Sequence, residues 1–195
     1  MVEMLVGQDV FLSAGAHIGT KTKVGSMRKY IYRAREDGLH VLDLKKMNEK
    51  ISLAASFLTM FEPSEVYIVG SKDNAFSPIK KFCEVTGFSP VNGRFTPGRF
   101  TNPSRVDFIE PKMVFVIDPS IDKQALKEAY EINVPTIALC DTNNNTKQID
   151  LVVPINNKGR KSIAFLFWLV AREILKKKGQ IGSNEDYKLT PSDFE

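Results

Sequence analysis

The sequence predicts an α/β fold, a parallel sheet with helices on both faces. Two observations predict it. From residue 66 onward, strand-length apolar runs alternate with stretches whose apolar residues recur at helical spacing. The closing stretch, residues 162–178, is apolar nearly all round in its first half, so that half has to be packed deep. Composition agrees: 195 residues, 43% apolar and 26% charged, suffice for one core and are far from a disordered chain.

Before the sheet, residues 30–33 and 39–42 alternate as a short hairpin joined across Glu36-Asp37-Gly38. Asp43 reads as the N-cap of a helix whose Leu44, Met47, Ile51, Ala54, Leu58 and Phe61 share one face until Pro63 stops it. Residues 66–69 form a buried strand. Phe76, Ile79, Phe82 and Cys83 then mark a helix ending at Gly87, and Pro90 with Val91 marks a weak strand. Residues 113–117 are the clearest strand and lead to a helix through Ile121, Ala125, Leu126 and Ala129. Two further short strands, 136–139 and 151–153, precede the final helix, in which Trp168 is a packing anchor. No repeat or linker divides the chain, so one domain over residues 1–181 and a short flexible tail over 182–195 are expected. The tail carries Glu185, Asp186, Asp193 and Glu195 against Lys188, a balance suited to protein rather than RNA.

Several function classes are disfavoured. The longest apolar run, residues 163–171, is nine residues, whereas a membrane span needs roughly 20. The first residues include Glu3 and no Lys or Arg before Lys21, unlike a secretory leader, so an intracellular, cytoplasmic protein is expected. Cys83 and Cys140 lack neighbours at ligand spacing and read as small buried apolar residues.

Charge is unevenly placed. Residues 21–35 hold Lys21, Lys23, Arg28, Lys29, Arg33 and Arg35 without an acid, and residues 94–105 hold Arg94, Arg99 and Arg105 without one. Residues 156–180 hold Lys158, Arg160, Lys161, Arg172 and Lys176 to Lys178 against Glu173. These 52 residues carry 16 cations against one acid, and the other 143 carry 11 cations against 22 acids. Basic charge gathered into segments of an otherwise acidic chain is the footprint of a polyanion partner, most often nucleic acid.

The strand carboxyl ends, the usual ligand crevice of such a sheet, lead into Ser71-Lys72, Gly93-Arg94, Asp118, Asp141-Thr142-Asn143 and Ile155-Asn156. Gly93 to Phe100 has P-loop glycine spacing but places Arg99 where Lys is required and Phe100 where a hydroxyl must reach magnesium. No Gly-x-Gly-x-x-Gly occurs. Asp118 as a phospho-acceptor would need carboxylates from an earlier strand, which residues 66–70 do not supply. His40 falls in a strand and reads as structural; His17 sits in a loop, without a nucleophile or carboxylate at motif distance. Neither a catalytic constellation nor a metal site assembles. The rival from another class is a domain binding a flavin or small nucleotide through Ser71, Asp118, Thr142 and Asn143; a free RNA chaperone is a third reading.

Residues 11–19 (Phe-Leu-Ser-Ala-Gly-Ala-His-Ile-Gly), the hairpin leading to Asp43-Leu44, residues 93–102 (Gly-Arg-Phe-Thr-Pro-Gly-Arg-Phe-Thr-Asn), residues 135–143 and residues 154–159, in this order, closely resemble the small-subunit ribosomal protein S2 (S-two) family, in its archaeal and eukaryotic branch. The resemblance covers roughly residues 8–180 and favours an archaeal member. It implies a three-layer α/β/α, flavodoxin-like fold, a five-stranded parallel sheet ordered 2-1-3-4-5, and a structural, non-enzymatic role in the small ribosomal subunit without a cofactor. Implied partners are small-subunit ribosomal RNA and neighbouring proteins of the S-five and S-seventeen-e types. The coiled-coil insertion of the bacterial branch has no counterpart here, and neither does the long acidic tail of eukaryotic members, so roles attached to either do not transfer.

Joined to the charge pattern, the resemblance gives a site hypothesis. Lys21, Lys23, Arg28, Lys29, Arg94, Arg99, Lys158, Arg160 and Lys161 neutralise RNA phosphates, while Phe95 and Phe100 anchor their loop or stack on an exposed base. Core packing is the alternative for both rings.

Overall fold

The computed structural model describes residues 4–184 and 186–195, so Glu3 and Glu185 lie outside the described residues. Helix α1 (Gln8–Ser13) opens the chain, followed by the antiparallel hairpin of β1 (Ile31–Ala34) and β2 (His40–Leu42). Helix α2 (Leu44–Leu58) begins where the Asp43 carboxylate accepts the Lys45 N–H at 2.9 Å, the cap its position predicts. The sheet proper comprises β3 (Val66–Gly70), β4 (Ser89–Asn92), β5 (Met113–Val116), β6 (Thr136–Cys140) and β7 (Leu151–Pro154), with helices α3 (Asp73–Thr86), α4 (Lys123–Glu131) and α5 (Arg160–Lys177).

All four pairings in this sheet are parallel, in the order β4-β3-β5-β6-β7. Numbered along the chain, that is 2-1-3-4-5, as the resemblance implies. The step from β3 to β4 runs one way across the sheet and the step from β5 to β6 the other. Right-handed crossovers therefore put α3 and α4 on opposite faces. Helices α2 and α5 pack together on the face of α3. The face of α4 is completed by a long irregular loop, residues 93–112, in place of a helix.

The apolar runs become the sheet because every residue of β5 and β6 is buried, as strands covered on both faces require. Against them α5 buries Ile163 to Phe167, with Phe167 ring centroids 4.6 Å from Phe82 and 5.8 Å from Phe115. Trp168 is half-buried; its indole N–H donates to the Leu189 carbonyl at 2.6 Å. Beyond it Phe194 is wholly buried, and the Ser77 hydroxyl donates to the Glu195 carbonyl at 2.8 Å. Both cysteines are buried thiols, and burial pushes Cys83 up to about 12.

Two elements leave no recognisable signal in the sequence. Helix α1 carries one buried side chain, Phe11, too few apolar positions for a periodic signal. The 3-10 turn Gly25–Tyr30, which buries Met27 and Tyr30, lies inside what reads as a basic loop.

Candidate nucleic-acid interface

The leading parts of the three basic segments, far apart in sequence, meet at the carboxyl end of the sheet, whereas Arg172 is buried against Glu173 and Lys176 and Lys177 lie in the last turn of α5. Thr142, just past β6, draws in the first: its hydroxyl hydrogen bonds with the Thr20 hydroxyl at 2.8 Å and donates to the Thr22 carbonyl at 3.0 Å, and its carbonyl accepts the Val24 N–H at 2.9 Å. Gly19 makes this approach possible. A Cβ there would lie 2.5 Å from Thr142 Cγ2 and 2.8 Å from the His40 carbonyl. Lys21, Lys23, Arg28 and Lys29 follow from this anchor and are exposed.

The second segment leaves β4 through Gly93, whose φ of +86° suits only glycine and whose N–H donates to the Gly70 carbonyl at 3.1 Å. Arg94 is exposed beside it. The rest of the loop is held by Glu128 of α4, a carboxylate 2% exposed. Glu128 accepts the Gly98 N–H at 2.7 Å, the Phe100 N–H at 3.0 Å and the Gln124 amide at 2.7 Å. Burial pushes its carboxyl up, but the bonds from Gln124, Phe100, Gly98 and Thr101 together outweigh burial and hold it below the ordinary value. Arg105 is answered within the loop, by Asp107 at 2.8 Å and the Pro97 carbonyl at 3.3 Å, whereas among the described residues neither Arg94 nor the half-buried Arg99 lies within ion-pair distance of a carboxylate.

Stacking of Phe95 or Phe100 on a base is corrected by the structure. The rings are 5% and 2% exposed and pack edge to face on each other, centroids 4.8 Å apart. They anchor the loop, since apolar rings among arginines are driven to the one dry surface available.

The third segment follows β7. Lys158 pairs with the buried Asp141 at 3.3 Å and donates to Asn143 at 3.1 Å, so part of its charge is answered within the chain. Arg160 and Lys161 are exposed in the first turn of α5, which contains no acid. Cations at a helix N-terminus oppose the macrodipole, so helix stability does not account for them, whereas an external anion would be favoured by both.

Between these segments the crevice is filled by the chain itself. Lys72 pairs with Asp118 at 2.6 Å and donates to the Asn157 carbonyl at 2.9 Å. The Asn157 side chain, wholly buried, donates to the Leu139 carbonyl at 2.9 Å, the Ile117 carbonyl at 3.3 Å and Asn144 at 3.0 Å; Asn144 in turn donates to Asp118 at 2.9 Å. Ser71 donates to Asp122, whose carboxyl is pushed up by burial. Ser71, Asp118, Thr142 and Asn143, the residues a flavin or nucleotide would need, are thus engaged with one another's loops. Among the described residues no group of three or more His, Cys, Asp and Glu side chains is arranged to hold a metal.

Glu128, Thr142 and Asn157 organise this end, and of the three only Thr142 stands out in the sequence, as a residue of the flavin or nucleotide alternative. Glu128 had a signal: it stands three residues after Ala125 and one before Ala129, on the buried stripe of α4. A carboxylate on that stripe needs donors, and the Gly98 and Phe100 N–H groups of the 93–112 loop supply them.

The family profile described as Ribosomal protein S2 matches residues 11–109 and 108–176 of this chain. The Small ribosomal subunit protein uS2 of Thermoplasma acidophilum is 48% identical over 193 residues, covering 99% of this chain and 97% of that one. The protein of the same description from Staphylothermus marinus is 46% identical over 195 residues, covering 100% and 89%. The one from Methanococcus maripaludis is 47% identical over 191 residues, covering 98% and 86%. All three sources are archaeal.

Proposed function

The chain belongs to the ribosomal protein S2 family and is a structural constituent of the small ribosomal subunit, and from that premise we propose that it meets small-subunit RNA through the basic carboxyl end of its sheet. The observation that carries the proposal is the convergence there of Lys21, Lys23, Arg28, Lys29, Arg94, Arg99, Arg160 and Lys161 around a crevice already occupied by Asn157, Lys72 and Asp118. A surface so charged and so filled suits a polyanion lying across it better than a small molecule entering it. Lys158 contributes with a charge partly held by Asp141.

Cations shared among three loops make phosphate neutralisation the main source of affinity, with the rigid sheet fixing the register of the phosphates along the face. The protein acts by binding, without a reaction or cofactor, in the cytoplasmic ribosome. Residues 1–181 serve as the RNA-bound unit, and the acidic 182–195 tail, with neighbours of the S-five and S-seventeen-e types, belongs to the protein-facing side. Sedimentation of a native lysate tests this. Near-stoichiometric comigration with small subunits, retained through a high-salt wash, is the expected result; a chain found at the top of the gradient in growing cells would overturn it.

A further inference from the structure

Beside the basic end lies a cleft that the RNA reading leaves unused. It has a volume of about 710 Å³, within the range of roughly 300–1,000 Å³ of small-ligand sites, and opens between α1, the loop holding His17, the hairpin and the start of α2. One wall is apolar and aromatic. Leu12 and Tyr32 line it although 46% and 71% exposed. The other wall is cationic, from Arg33, Arg35 and Lys45. Among the described residues neither Arg33 nor Lys45 lies within ion-pair distance of a carboxylate, while Arg35 meets Asp37 at 3.3 Å at the exposed hairpin turn. The one acid in the lining, Asp43, is engaged in capping α2. His17 lies at the edge of the cleft with its Nδ1 buried, held in place from the Phe11 backbone.

An exposed aromatic ring in one cleft with two cations that no carboxylate answers matches the chemistry of an unstacked nucleotide: a flat π-face and a phosphate. The cleft also adjoins the proposed RNA face along the chain, since Lys29 and Tyr30 close the basic 3-10 turn and run directly into β1.

We propose that this cleft captures one unpaired nucleotide of the small-subunit RNA, its base stacked on Tyr32 and its phosphate between Arg33 and Lys45. The inference rests on the RNA reading above but goes beyond it. It makes one site read a splayed-out base where the rest of the face meets phosphates.

The test uses small subunits stripped of this protein and rebound with the full chain as wild type, Tyr32→Phe or Tyr32→Ala, all at saturating concentration, with base-specific chemical probing of the RNA. Tyr32 is exposed, so neither substitution disturbs packing. Wild type and Tyr32→Phe are expected to protect one unpaired base that Tyr32→Ala leaves several-fold more reactive. Half-saturation for Tyr32→Ala should rise about ten-fold or more, the scale of one base stack. Probing identical for Tyr32→Ala and wild type overturns the inference. So does weaker rebinding of Tyr32→Ala with unchanged RNA reactivity, which would identify the occupant as a protein. In both cases protections by the 93–105 and 158–161 segments would persist and leave the RNA reading standing. A wild-type chain that protects no RNA removes that reading, and the cleft inference with it.

Discussion

The Glu128 carboxylate accepts the Gly98 N–H at 2.7 Å and so ties α4 to the loop that carries Arg94 and Arg99. The same carboxylate takes the Phe100 N–H, so one buried side chain fixes both sides of Arg99. Removing it leaves two backbone donors without partners inside the protein.

Glu128→Ala is therefore expected to destabilise the chain by about 2–4 kcal/mol, one to three for each stranded donor, with partial relief if the loop opens to water. Urea unfolding checks it; a loss below about 0.5 kcal/mol would contradict the role. The carboxyl is held below its ordinary value in the folded state, so its stabilisation is present above that value and fades as pH falls through the folded one. Glu128→Gln should flatten the acid limb of the stability profile.

Asp122 has the opposite sign. Burial raises its carboxyl, so the folded state holds the proton more tightly than the unfolded chain, and stability declines as pH rises above the ordinary carboxylate value toward the raised one. Asp122→Asn keeps an acceptor for the Ser71 hydroxyl and removes the charge. Its unfolding midpoint is expected to lose that decline when followed from about pH 3.5 to 7, a window that brackets the ordinary carboxylate value.

Asn157 answers two carbonyls, Ile117 and Leu139, at the centre of the sheet's carboxyl end. Asn157→Ala should cost about 2–4 kcal/mol through stranded carbonyls and a cavity. The wild-type chain should bind neither FMN nor adenine nucleotides in the micromolar range by fluorescence or calorimetric titration. Micromolar binding would mean that the Lys72–Asp118–Asn157 filling opens and that the crevice is a ligand site.

Gly19 seats the first basic segment against Thr142, and a methyl there would meet Thr142 Cγ2 at 2.5 Å. Gly19→Ala is expected to lift residues 20–24, with faster tryptic cleavage after Lys21 and Lys23 and weaker rebinding to stripped subunits. Unchanged cleavage rates would show that the segment is positioned otherwise.

The sheet was legible because β3, β5, β6 and β7 are largely buried on both faces and so spell continuous apolar runs, and because Asp43 and Gly87 punctuate helices in the usual way. The basic segments were legible as charge. Their convergence was not, because it depends on side chains such as Thr142, Glu128 and Asn157, which bond loops more than ten residues away and leave no periodic trace. Phe95 and Phe100 illustrate the same limit: an aromatic among arginines has one appearance in sequence and two in space, and the edge-to-face packing at 4.8 Å decides for the interior.

The most direct test of the RNA-binding face is the salt dependence of rebinding to stripped small subunits, compared between the wild type and Arg94→Ala/Arg99→Ala. Arg94 is exposed and Arg99 half-buried, and neither side chain is bonded to the Glu128 carboxylate that holds the loop. If they neutralise phosphates, the log-log slope falls by about 0.7–0.9 for each phosphate left without its cation. A slope identical to wild type would show that the loop meets something other than RNA.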